Sequence, residues 1–421
     1  MLHPSPLRAA VVRVLPAVLA AAVVAPAAAH AGQGDPTNPL VGQRQFLNCE
    51  DLSSNGQAWN PWWQVHHAHG RRRKLLEKIA RVPTVKSFAG TPANKIGRRM
   101  ERYMANVDHP MVGGRDCSKK LHYAPREWAQ GPIPLIARDR YVGDYPILAI
   151  RSLNYSVCKG GKREPGTPYR KSINDFVAQL GRTYDSRVPY RYWDKYPAPG
   201  THWRRYPQRQ AAVILEPDRL GLMGNGKGCL SHAEKVRSLE LMRFAVGRLT
   251  SLPNVAVYID AGEDNWLSVN QAVHLLRKAG VGRARGFALN ATHTGTTRAN
   301  LRYGDRIARR LHRHYVINTA ENAHGKLPKR IWSHRSPLIP IPGPNNTNCN
   351  PPNAGLGTEP TTHTGSRWAD AYLYISRAGL SSNANNRCGR GPASNVWYMA
   401  HALSEARKAV FRAAAWPPKP L

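Results

Sequence analysis

The chain has 421 residues, 42% of them apolar, which is enough for one large barrel or two ordinary domains and argues against a disordered chain. Its 61 Lys and Arg oppose 26 Asp and Glu, a formal net charge of +35, and such a field attracts nucleic acid, anionic glycans or an acidic cell wall. The basic residues are spread along the whole chain without a recognisable nucleic-acid motif, so no specific nucleic-acid partner is expected; the first reading is a surface that keeps an exported protein soluble, and an anionic glycan or cell-wall partner stays open.

Residues 1–31 read as a secretory signal. His3, Arg8 and Arg13 make a basic start, Val14 to Ala29 is apolar and alanine-rich, and Ala29-His30-Ala31 fits a small-x-small cleavage pattern. The apolar run is short and holds Pro16 and Pro26, so no permanent membrane span is expected and the mature chain is placed outside the cell. Residues 32–37 form a short linker, and 38–421 read as a single domain, expected to be a monomer. Export permits disulfides, and the six cysteines, Cys49, Cys117, Cys158, Cys229, Cys349 and Cys388, suit three bridges. No CxxC or His/Cys cluster has zinc spacing, and His66, His67 and His69 lie in a basic polar stretch read as solvated surface; neither a metal nor another cofactor is expected.

Further along, Ile147-Leu148-Ala149-Ile150 is a strand candidate. Ile173, Phe176, Val177 and Leu180 then follow helical spacing. Ala211 to Leu215 is a buried strand running into Glu216-Pro217-Asp218. A long helix marked by Val236, Leu239, Met242, Val246 and Leu249 stops before Pro253. Val255 to Ile259 is a second strand ending in an acid, Asp260. A helix through Val273, Leu275 and Leu276 stops at Gly280. Gly286-Phe287-Ala288-Leu289 ends in Asn290, and a helix around Ile307 and Leu311 follows. Tyr315 to Thr319 and Ala371 to Ile375 are the last strands, and a final helix runs from about Asn395 to Ala415. Repeated strand–helix units of this length predict an α/β fold with a parallel barrel. The long connections 184–210 and 326–368 are expected to lie over the active site.

Polar residues at successive strand ends point to chemistry, because the carboxyl ends of parallel strands carry the active site in such folds. Taken alone, Glu216 and Asp218 are equally well explained as caps on the next helix. Asp260 and Asn290 in the same position shift the balance toward a site.

The motifs, in order, resemble glycoside hydrolase family 6, the secreted endoglucanases and cellobiohydrolases. They are Asn38-Pro39-Leu40-Val41-Gly42, Leu75 to Gly90, Ile214-Leu215-Glu216-Pro217-Asp218, Tyr258 to Gly262 with Trp266, Gly286 to Asn290, Cys349-Asn350-Pro351-Pro352 with Gly355-Leu356-Gly357, and Asp370 to Tyr374. The resemblance spans nearly all of the mature chain. It implies a distorted seven-stranded TIM-like barrel and hydrolysis of a β-1,4-glucan, a polysaccharide or oligosaccharide, with inversion. It places the general acid at Asp218, an electrostatic partner at Asp260, a sugar-stacking ring at Trp266 and sugar contacts at Asn290, Arg377 and Asn383. It also implies the bridges Cys158–Cys229 and Cys349–Cys388; Cys49 and Cys117 are left over, and whether they pair with each other stays open.

The chain departs from the family pattern at charged positions. The early Asp that tunes the acid is Val157, and the tyrosine over the reacting ring is Arg151. In the late loop the family's Lys, Glu and Asp are Arg377, Ser381 and Asn383, and a sugar-facing Trp is Asn348. Asn383 occupies the position of the base, yet an amide cannot accept the proton of the attacking water. Glu263, Asp264, Glu321 and Glu359 are the carboxylates expected on nearby loops. Two other readings stay open: a glycan-binding protein that has lost catalysis, and a basic protein held to a cell wall or polyanion.

Overall fold

The structure is a computed structural model that describes residues 37–43, 45, 61–88, 145–153, 166–181, 210–224, 230–326, 350–383, 391–414 and 421. Seven strands form one parallel sheet in sequence order: β1 (Lys86–Ser87), β2 (Ile147–Ile150), β3 (Ala211–Leu215), β4 (Val255–Asp260), β5 (Gly286–Leu289), β6 (His314–Asn318) and β7 (Ala369–Leu373). The outer edges meet where the Val85 N–H donates to the Tyr374 carbonyl at 2.7 Å, beside a parallel bridge from Thr84 to Tyr374. The sheet is the distorted seven-stranded parallel barrel expected from the sequence.

Strands buried on both faces need apolar residues at every position, which is why β2 and β3 read as unbroken apolar runs. Alternate side chains then feed two cores. Ile147, Ala149, Ala212, Ile214, Tyr258, Ala288, Val316 and Ala371 fill the barrel interior. Leu148, Ile150, Val213, Leu215, Val257, Ile259, Phe287 and Leu289 pack outward against the helices. The many alanines of the inner set suit a narrow interior.

Three of the described helices start at side-chain caps, and one ends at a left-handed glycine. In chain order they are α1 (Pro61–His66), α2 (Gly70–Ala80), α3 (Gly166–Leu180), α4 (His232–Leu249), α5 (Val269–Ala279), α6 (Thr297–Leu311) and α7 (Met399–Arg407). Ser231 and Thr296 cap α4 and α6 with their side-chain oxygens, and Ser268 with Gln271 makes a reciprocal capping box on α5. Gly280 ends α5 at φ +94°, a conformation that favours glycine. A second apolar cluster lies outside the barrel, where Trp62, Val65, Leu76 and Ile79 of α1 and α2 meet Tyr374, Ala402 and Ala406.

Three boundaries differ from the sequence reading. Helices α1 and α2 occupy the stretch read only as basic and polar; Trp62, Val65, Leu76 and Ile79 face inward while His67, His69, Arg71 and Arg72 stay exposed. Strand β7 starts at Ala369, two residues before the expected Ala371, with a register irregularity opposite Tyr315 and Val316. Helix α7 is shorter than the expected span from Asn395 to Ala415, because Asn395 takes φ +65° and Trp397 pairs with Leu380. All six cysteines, Val157, Asn348, residues 184–209 and residues 327–349 lie outside the described residues. Among the described residues no helix is long and apolar enough to cross a membrane.

Candidate active site

The end of β3 makes a sharp turn. Glu216 and Asp218 have φ of +52° and +72°, and Asn290 at the end of β5 has +62°. A non-glycine residue in this region costs about 1–3 kcal/mol, so such conformations persist only where the surroundings fix them. They are fixed here. The fully buried Glu216 carboxylate accepts the backbone N–H groups of Ser152 at 3.0 Å and Leu153 at 3.1 Å, tying the ends of β2 and β3 together. Burial pushes its pKa up to about 7, against the pull of those two N–H groups. Glu216 is therefore a fastener, and Asp218 is the residue of the pair that faces the rim.

Asp260, at the end of β4, acts from beneath. Its Oδ2 accepts the Asp218 N–H at 2.8 Å and the Gly262 N–H at 3.1 Å, while its Oδ1 is buried without a hydrogen-bond partner among the described residues. Burial first, and the nearby Asp218 charge second, raise its pKa well above the carboxylate range. Asp260 thus holds the Asp218 backbone in place, and its burial favours the neutral form of its carboxyl.

Among the described residues, the Asp218 carboxylate meets three side chains. Arg151 Nη2 donates to Oδ2 at 2.8 Å, the Thr292 hydroxyl donates to Oδ1, and His293 Nδ1 lies 3.8 Å from Oδ1. The other ring nitrogen of His293 lies 3.7 Å from Glu263 Oε1, which is ion-paired with Lys326. His293 therefore stands between two carboxylates. Trp266, half-buried, meets the His293 ring edge-on at a centroid distance of 4.7 Å. Its indole lies over Gly221 and Gly262: a Cβ at Gly221 would stand 2.6 Å from the ring, so glycine is what lets the indole lie flat there. Asp264, beside Glu263, is raised by burial and by the Glu263 charge.

The other expected site residues lie along the same rim with different partners. The amide of the fully buried Asn290 donates to the carbonyls of Gly295 and Asn318 and accepts the Gly295 N–H, joining the ends of β5 and β6. Asn318 does the same for β6 and β7, accepting the N–H groups of Ile375 and Ser376. Arg377 is half-buried in the loop after β7. Asn383 is buried at the end of that loop, its Nδ2 donating to the Gly391 carbonyl at 3.1 Å. Ser381 is held by Asn350 and the Pro392 carbonyl. Glu359 is half-buried, and Glu321 faces His401 and Glu405 of α7 instead of Asp218.

Sequence reasoning missed Thr292, His293 and Lys326. The first two stand just after β5 and were within reach of the strand-end argument that found Asp218. Lys326 carries no local signal, since it reaches Glu263 from 63 positions away.

The geometry agrees with comparisons to known proteins. The model for glycosyl hydrolases family 6 matches residues 189–409. Endoglucanase 1 of Streptomyces halstedii is 31% identical over 392 residues, 91% of this chain and 94% of that protein. Endoglucanase A of Cellulomonas fimi is 35% identical over 198 residues, 47% of this chain but only 38% of that longer relative. Among solved structures, the endoglucanase Cel6 from Mycobacterium tuberculosis, in complex with methyl-cellobiosyl-4-deoxy-4-thio-β-D-cellobioside, matches with a TM-score of 0.62 at 26% identity, over 88% of this chain and 99% of that one. With this sequence likeness running through the barrel and its rim, the chain belongs to glycosyl hydrolases family 6.

Proposed function

We propose that this chain is an exported glycoside hydrolase that cleaves β-1,4-glucan with inversion, and that Asp218 is its general acid. The observation that carries the reading is the setting of Asp218: a carboxylate at the barrel rim, its backbone bonded to Asp260 and its oxygens facing Arg151, Thr292 and His293. Endoglucanase relatives and a Cel6 structure holding a cellobioside support the substrate class.

Cleavage requires a proton on the leaving oxygen as the glycosidic bond breaks, and a base that takes a proton from water attacking the opposite face. Asp218 supplies the first: as the substrate oxygen displaces Arg151 and opens the ion pair, the carboxylate takes up a proton from solvent and then passes it to the leaving oxygen. Trp266 offers a flat apolar surface to the C–H face of a pyranose. Asn383, as an amide, cannot take the water's proton, so that role falls to a carboxylate of the neighbouring loops, Glu263, Asp264 or Glu359.

The test is the initial rate on a soluble β-glucan for wild type and Asp218→Asn, with the anomer of the first product followed by NMR. Asp218→Asn is expected to lose roughly 10²–10⁴-fold in rate while keeping oligosaccharide binding. Wild-type turnover in the mutant, or a retained anomer in the wild-type product, would overturn the assignment.

A further inference from the structure

Away from Asp218, the last helix and the end of β6 bring together three side chains that the glycosidase reading does not use. His401 and Glu405 lie one turn apart on α7 and so project from the same face. Glu321 follows β6 in the chain and reaches the same point. His401 Nε2 lies 2.9 Å from Glu405 Oε1 and 3.9 Å from Glu321 Oε1, and one ligand atom from each residue falls within 4.8 Å of the others. The His401 and Glu405 side chains are 5% and 0% exposed.

At 2.9 Å His401 and Glu405 are close enough to pair by charge, but the ring N–H is not aligned on the oxygen, and neither His401 Nε2 nor Glu405 Oε1 meets a well-aligned hydrogen-bond partner among the described residues. Buried polar atoms without partners are costly, and two carboxylates held together out of water are more so. A shared cation answers both problems. Metal–ligand bonds of about 2.1 Å in a tetrahedron put neighbouring ligand atoms about 3.4 Å apart. The two separations from His401 lie on either side of that value.

The ligand set points to a metal class. One imidazole and two carboxylates suit a zinc-type transition ion, whereas calcium and magnesium prefer oxygen alone. Two carboxylates with a neutral imidazole also balance a dication. The other Glu405 oxygen accepts the Gly379 N–H at 2.6 Å, which fixes the carboxylate from behind, as supporting groups do at metal sites. Gly379 belongs to the loop that runs on to Ser381 and Asn383.

We propose that Glu321, His401 and Glu405 form a zinc-class metal site that staples α7 to the barrel rim and to the loop carrying Asn383. The sequence hides it, because only the His401/Glu405 spacing is local and Glu321 stands 80 positions before His401.

The experiment uses the full mature chain, stripped with a chelator, loaded with Zn²⁺ or Co²⁺ and dialysed. Wild type is expected to retain one metal per chain, to show the visible ligand-field bands of low-coordinate Co²⁺, and to melt several degrees higher with metal than without. Glu321→Gln, which leaves the contact of Glu405 with Gly379 intact, and His401→Asn should each weaken retention on the order of 100-fold. Equal retention by wild type and Glu321→Gln would place the metal elsewhere, for example on His66, His67 and His69, and would overturn the proposal. So would wild type that retains no metal and melts identically with and without it, since the three groups would then form an ion network only. Both readouts are independent of glycan cleavage, so they stand or fall apart from the role of Asp218.

Discussion

Replacing Asp260 with asparagine separates its two jobs, holding the rim and carrying a proton. An asparagine has the size of a neutral aspartic acid. Its oxygen can accept the N–H groups of Asp218 and Gly262, and its NH₂ falls where the wild-type Oδ1 already lacks a partner. Asp260→Asn should therefore fold with Asp218 in place. What changes is the pH dependence. Burial raises the native pKa of Asp260 well above its ordinary value of 3.8. In the window between those two values the unfolded chain has released the proton and the native one keeps it. The unfolded state then binds fewer protons, so wild-type stability falls as pH rises, by about 1.4 kcal/mol per unit from this one group. Asparagine does not titrate, and every other group cancels in the comparison. Urea unfolding of both proteins at pH 4.5 and 5.5 checks this: the stability of the mutant relative to wild type should rise by about 1.4 kcal/mol across that interval. A relative stability that stays flat would mean that Asp260 ionises in the native protein, and the account of a neutral acid beneath Asp218 would fail.

Gly221→Ala should push the indole of Trp266 out of place at a cost of about 1–3 kcal/mol, seen as raised KM for oligosaccharides and altered tryptophan fluorescence. Asp370 accepts from Arg285 at 2.8 and 2.9 Å and from the Tyr258 hydroxyl at 2.7 Å, so Asp370→Ala should destabilise by about 3–5 kcal/mol in urea unfolding. Burial acts to raise the Asp370 pKa, but Arg285 and His314 together hold it below the ordinary value; its stabilisation is present above the unfolded pKa and is lost as pH falls through the native one. Asn383→Asp should hydrolyse a soluble β-glucan faster than Asn383→Ala, since a carboxylate can take a proton from water and a methyl cannot. The gain is limited because the new side chain lacks the donor that Asn383 gives to Gly391.

The barrel, and the rim where polar residues end its strands, were legible in the sequence. Parallel strands buried on both faces must be apolar throughout, so Ala211–Leu215 and Val255–Ile259 announced themselves, and the polar residue that ends each run had to lie at the carboxyl rim. The stop of α4 before Pro253 and of α5 at Gly280 was legible because proline and glycine act through their own backbone. Only the folded chain shows what each rim side chain meets. Glu216 and Asp218 are two positions apart and chemically alike, yet one is clasped by the N–H groups of Ser152 and Leu153 and the other meets Arg151, Thr292 and His293. Asn290, expected as a sugar contact, joins the ends of two strands, and Glu321, expected on a loop near the acid, meets His401 and Glu405. A side chain's partners come from segments tens to hundreds of residues away, and its charge state follows from the burial those partners create. Neither is written in the residues beside it.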